Sequence, residues 1–191
     1  MAEELARQLD LGPMPLGRPM ETVDERLVRA SVNTMFEIAS SVENWPAHLS
    51  HYRYVRFRQR RSDGGGLVEM SAARPFQIID ASMVPLRFNW PTWWLSEMSV
   101  NKSEPSIRFR HVAGVTKGMD VEWSFTPAAG RGRGRGGTHV RILHVWDGPR
   151  IPIVGVWAAM HVIGPVFVHG IASRTLAGLA RVAERQYQNQ R

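Results

Sequence analysis

The chain has 191 residues, 43% of them hydrophobic, no cysteine and a formal net charge of +7. That length suits one domain with a well-buried core, and the absence of cysteine excludes disulfides, thiolate nucleophiles and cysteine-ligated zinc. Only Lys102 and Lys117 among the 24 basic residues are lysines, and the arginines are dispersed, which fits GC-rich coding better than a nucleic-acid footprint.

Residues 1–19, beginning "MAEELARQLDLGPMPLG", read as a flexible leader broken by Pro and Gly, without the apolar core of a secretory signal. A cytoplasmic protein is expected. Residues 20–191 read as the folded domain. "ETVDERLVRASV" is a first strand, and "NTMFEIASSV" a helix capped by Asn33, with Met35, Ile38 and Val42 on one face. "WPAHLSHY" opens a second short helix with Pro46 at its first position.

From there the period changes to two. "RYVRFRQRR" sets Val55 and Phe57 against Arg56 and Arg58, and "GLVEMSAAR" sets Val68, Met70 and Ala72 against Glu69 and Ser71. "WWLSEMSV" puts Trp94, Ser96, Met98 and Val100 on one face, and "SIRFRHV" does the same for Ile107, Phe109 and His111. "MDVEWSFT" and "THVRILHVW" form a hairpin across "PAAGRGRGRGG", a glycine-rich run that reads as a soluble loop and not as an RNA-binding segment. The last helix carries an apolar stripe of Val168, Ala172, Leu176, Leu179 and Ala183, with Arg174, Arg181 and Arg185 opposite.

The implied class is α+β: a curved antiparallel sheet wrapped around one long C-terminal helix, with two short helices after the first strand. Such a sheet closing on one helix tends to leave a cavity. The segment from Ile151 to Ile171 holds no Asp, Glu, Lys or Arg and is long enough to cross a bilayer. Its glycines, its two prolines and its merger with the amphipathic helix argue against a span. Ile151 to Gly164 reads as an apolar lid, and Pro165 onward as the covering helix.

"SSVENWPAHLSHYRYVRF", "WWLSEM", "VEWSF" followed by "GTHVRILHVW", and "ASRTLAGLARVAE" resemble the START-like, helix-grip proteins, and among them the polyketide aromatase/cyclases of the tetracenomycin type. The resemblance implies the helix-grip fold and a pocket that bends a poly-β-ketone for aldol condensation and aromatisation. It implies pocket positions for Trp45, Tyr52, Trp94 and Ser96. The family pattern has an arginine two residues after the serine, where this chain has Met98; Arg74, on the face of Val68, Met70 and Ala72, is the candidate replacement. "PFQIIDASMVPLRFNWPT" is longer than the corresponding connection in those cyclases and is expected to add a strand or a lip at the pocket mouth.

His111 and His144 fall on inward faces and are the candidate general acid/base groups, with Ser96, Tyr52 and Arg74 completing the catalytic set. The candidate ligand-binding set is Trp45, Met70, Trp94, Met98, Phe109, Trp123 and Trp146, with Trp157 and Phe167 from the lid region. His48 and His51 lack the third ligand a metal needs, so neither metal nor cofactor is expected. Three readings follow: a cyclase/aromatase-like protein; a non-catalytic carrier of lipid, quinone or isoprenoid; and, more weakly, a basic interaction module. The expected partner is a hydrophobic small molecule, with transient contact to a membrane surface through the lid and no nucleic acid.

Overall fold

The computed structural model describes residues 10–78, 86–129, 136–149 and 168–189, and for residues 74–78 and 86–91 the backbone alone. Seven strands, β1 (Met20–Val28), β2 (Tyr52–Arg60), β3 (Gly66–Ile78), β4 (Leu86–Asn101), β5 (Ser106–Gly114), β6 (Asp120–Ala128) and β7 (Gly137–Trp146), form one antiparallel sheet in the order β1-β7-β6-β5-β4-β3-β2. Among the described residues three α-helices, α1 (Val32–Ser40), α2 (Trp45–His48) and α3 (His169–Asn189), lie against it.

The strands form because their sequences alternate. On β5, Ile107, Phe109 and His111 are buried and the residues between them are not. On β4, Trp94, Ser96, Met98 and Val100 share the inner face. The outer face of β2 and β3 is polar, with Tyr54, Arg56 and Arg58 all bonded to Glu69. Arginines at the exposed positions of β2 also blunt that sheet edge.

The sheet must curl, because α3 packs against β1 at one edge and against β3 near the other. The stripe of α3 makes both contacts: Val168, Ala172, Leu176, Leu179 and Ala183 are buried, while Arg174, Arg181 and Arg185 are exposed. His169, the first residue of α3, bonds the buried Asp24 of β1 at 2.8 Å and ties the start of the helix to the edge strand.

Two expectations need correction. The cap of α1 is Ser31, whose extended backbone (ψ 156°) lets its side chain accept from Thr34 N–H, so Asn33 already lies inside the helix. The long "PFQIIDASMVPLRFNWPT" segment adds no new strand in its described part. It prolongs the existing β3/β4 ladder, from Arg74 opposite Trp90 to Ile78 opposite Leu86. The lid segment Ile151–Gly164, with Trp157, lies outside the described residues, as does Phe167. Among the described residues no helix is long and apolar enough to cross a membrane.

Two glycines shape the β5–β6 connection differently. Gly114 (φ +94°) holds its Cα where a Cβ would fall 2.3 Å from the Trp93 carbonyl oxygen; Gly118 (φ +89°) has nothing nearer than 3.8 Å. Gly118→Ala therefore carries only the left-handed backbone penalty, about 1 kcal/mol, whereas Gly114→Ala adds a backbone clash and loses about 3 kcal/mol or more. Urea denaturation of the two variants checks this, and equal losses contradict it.

Candidate functional site

Between the inner sheet face and the helices lies a cavity that is partly open to solvent. Alternation brings Met70 of β3, Trp94 of β4, Phe109 and His111 of β5, Trp123 of β6 and His144 of β7 onto its wall. Trp45 of α2 and Tyr52 at the start of β2 close one side. From α3 come Ile171, Ala172 and Thr175, with Val168 immediately before it. Val115, about half exposed at 49%, stands at the rim. Among the described residues no charged side chain lines this cavity.

The aromatic wall is continuous. Trp45 packs on Tyr52 (5.4 Å between centroids) and on Trp123 (5.7 Å), and Trp94 stacks on His111 at 5.8 Å and 17°. Ring contacts of this kind fix side chains that would otherwise collapse into the space.

His111 is held on three sides. Its N–H bonds the Met119 carbonyl, its carbonyl accepts from Gly118, and its Nδ1 lies 2.6 Å from the Thr116 hydroxyl. Burial, and after it the nearby His144, depresses the His111 pKa to about 3. His144 is depressed to about 3 as well, by burial and then by the charge of His169. Its Nδ1 has no hydrogen-bond partner among the described residues. Both imidazoles are therefore neutral at physiological pH, each with one donor and one acceptor nitrogen.

Three candidates from the sequence share the inner face but are absent from the cavity lining. Ser96 is completely buried between Val68 and His111 in the ladder, and its hydroxyl has no partner among the described residues. Met98 is completely buried opposite Phe109. Trp146 donates from Nε1 to the Lys117 carbonyl at 2.9 Å and fastens the β5–β6 turn to β7. Arg74 lies in β3 opposite Trp90, and its side chain is outside the described residues. His51 bonds Thr175 in place of any metal set, and no group of three His, Asp or Glu converges among the described residues.

Sequence reasoning missed Thr92, Thr116, Met119, Val121 and Thr175 on the wall. Thr92 extends the alternation already read on β4, and Val121 lies two residues before Trp123 on β6, so that signal was present. Thr116 and Met119 depend on a turn, and Thr175 interrupts the apolar stripe of α3, so neither had one.

A curled antiparallel sheet gripping one long helix over an apolar cavity defines the START-like, helix-grip class. A family model described as "Polyketide cyclase / dehydrase and lipid transport" matches residues 28–162. The chain belongs to that family. Among solved structures it is similar to the Zhui aromatase/cyclase from Streptomyces (TM-score 0.62, 11% identity, 88% of this chain and 95% of that one). It is also similar to a START superfamily protein from Mycobacterium smegmatis (TM-score 0.56, 16% identity, 90% and 99% covered). A third similar structure comes from Thermus thermophilus (TM-score 0.61, 17% identity, 85% and 95% covered). At these identities the likeness concerns the fold alone. No curated protein matches the chain in sequence.

The neutral histidines have a consequence for stability. The unfolded chain takes up protons at both positions near the ordinary histidine pKa of 6.5, while the folded chain does not until about pH 3. Stability present above pH 6.5 is therefore lost as pH falls toward 3, by up to roughly 3 kcal/mol per pH unit for the two together. The double variant His111→Asn/His144→Asn should flatten that slope in urea denaturation between pH 6 and 4. An unchanged slope contradicts the assignment.

Proposed function

We propose that the cavity binds an uncharged, hydrophobic small molecule of polyketide type and promotes its aldol cyclisation and dehydration. The observation that carries this reading is a wall that is apolar and aromatic apart from two neutral imidazoles and a few hydroxyls. A poly-β-ketone suits such a wall: it is uncharged, and its methylene protons between carbonyls are acidic enough for enols to form without a strong base. The site must bend the chain, exclude water, and pass protons between enol and carbonyl oxygens. His111 and His144 can do the last of these, since a neutral imidazole accepts at one nitrogen and donates at the other. Arg74 remains the candidate for a cation near a developing enolate, and Arg74→Ala with unchanged turnover and affinity would remove it from the mechanism.

A second reading is a carrier of lipid, quinone or isoprenoid. It is favoured by the absence of any charged side chain on the described wall and by the burial of Met98 in the core, where the family pattern has an arginine. His144→Gln separates the two. Under the first reading, turnover of a poly-β-ketone falls about 100-fold or more while affinity stays within about threefold. A wild-type protein that holds its ligand tightly and turns nothing over supports the carrier. In either case affinity for an uncharged ligand should be flat from pH 6 to 8, because neither histidine titrates there; a steep dependence in isothermal titration would contradict a wall of neutral groups.

A further inference from the structure

The short contact between Thr116 and His111 decides which nitrogen of the His111 ring carries the proton. His111 is a neutral imidazole, so one nitrogen is N–H and the other a bare acceptor. Its Nδ1 lies 2.6 Å from the Thr116 hydroxyl, which has no other hydrogen-bond partner among the described residues. Two arrangements satisfy that contact. Either Thr116 gives its proton to Nδ1, or Nδ1–H gives its proton to the Thr116 oxygen and the threonine proton is left without an acceptor.

Three considerations select the first. N–H···O bonds span about 2.7–3.2 Å, whereas O–H donors work from about 2.5 Å, and a separation of 2.6 Å belongs with the hydroxyl as donor. The second arrangement strands a hydroxyl proton on a residue only 7% exposed, in a wall that carries no charged side chain among the described residues. The form protonated at Nε2 is also the intrinsically preferred tautomer of a neutral histidine. With Nδ1 taken up by the turn, Nε2 is the nitrogen left to the cavity that His111 lines. The ring is held in this pose, because Trp94 stacks on its face at 5.8 Å and 17° and both backbone groups of His111 are bonded to Met119 and Gly118. A hydrogen bond received at Nδ1 also polarises the ring and strengthens Nε2–H as a donor.

We propose that Thr116 is a positioning residue whose hydroxyl donates to His111 Nδ1, fixes the ring proton on Nε2, and so makes His111 a hydrogen-bond donor to a carbonyl oxygen of the ligand. Unlike a shared proton, both bonds hold at once: Thr116 keeps its own while Nε2–H serves the ligand. A neutral imidazole polarises a carbonyl in this way without itself becoming charged. It keeps its proton, since losing it would leave an imidazolate in an apolar wall. Taking up and returning protons then falls to His144. The inference rests on the reading of the cavity as a ligand site and narrows the part that His111 plays in it.

Heteronuclear NMR of the imidazole nitrogens in the ligand-free wild type tests the tautomer: the proton is expected on Nε2, and a proton on Nδ1 overturns the proposal whatever binds. Two shape-matched probes test the contact, 2-acetylnaphthalene, which carries a carbonyl, and 2-isopropenylnaphthalene, which carries a methylene in its place. The Nε2–H resonance should move downfield with the ketone and stay in place with the alkene. Thr116→Val should mix the two tautomers, weaken the ketone about threefold and spare the alkene, and Thr116→Ser should restore the wild-type spectrum and affinity. A purely structural role for Thr116 moves both probes together and leaves the tautomer unchanged. Equal losses for the two probes, or an Nε2–H resonance that does not respond to the ketone, overturn the proposal while leaving the cavity as a binding site. If neither probe binds the wild type, the cavity reading fails and this inference with it.

Discussion

Everything in this molecule depends on one helix being held by both ends of one sheet. A flat sheet would meet α3 along a single line; here α3 touches β1 and also β3, and the sheet has to bend to allow it. The inner face of seven strands is larger than one helical stripe can cover, even with α1 and α2 added. The apolar stripe of α3 satisfies the part of that face it reaches, and the rest is lined by rings that brace one another instead of filling the space.

That bracing decides the chemistry. An apolar enclosure makes charge expensive, and the polar groups that face it have responded in the same direction. His111 and His144 both lose affinity for a proton through burial, and Tyr52 holds its own more firmly. The wall consequently offers hydrogen bonds without charge, a surface matched to carbonyl and hydroxyl oxygens on a hydrophobic frame. Family membership sets the range of functions, and the individual wall residues have to choose within it.

Much of the fold was legible because period-two alternation is imposed by burial on one side. "SIRFRHV" could be read directly into the buried Ile107, Phe109 and His111, and the α3 stripe into its buried residues. The cap of α1 was misplaced because Ser31 and Asn33 are both good capping residues, and only the backbone of Ser31 decides between them. The site was harder. Alternation tells which face a side chain occupies but not how far along the strand the core has been filled, so Ser96 and Met98 were read onto the wall with Trp94, whereas only Trp94 lines the cavity. Thr116 reaches His111 through a turn, and Thr175 reaches His51 across 124 positions of sequence; neither pairing leaves a local trace.

The central claim is that this enclosure accepts a guest. Isothermal titration of the wild type with a hydrophobic naphthalene derivative, beside the cavity-filling variant Ala172→Phe, addresses it most directly, since Ala172 lies on the wall contributed by α3. The account predicts one molecule bound per chain and loss of binding in the filled variant, with its cooperative unfolding retained. Undiminished binding by the filled variant, or none by the wild type, would contradict it.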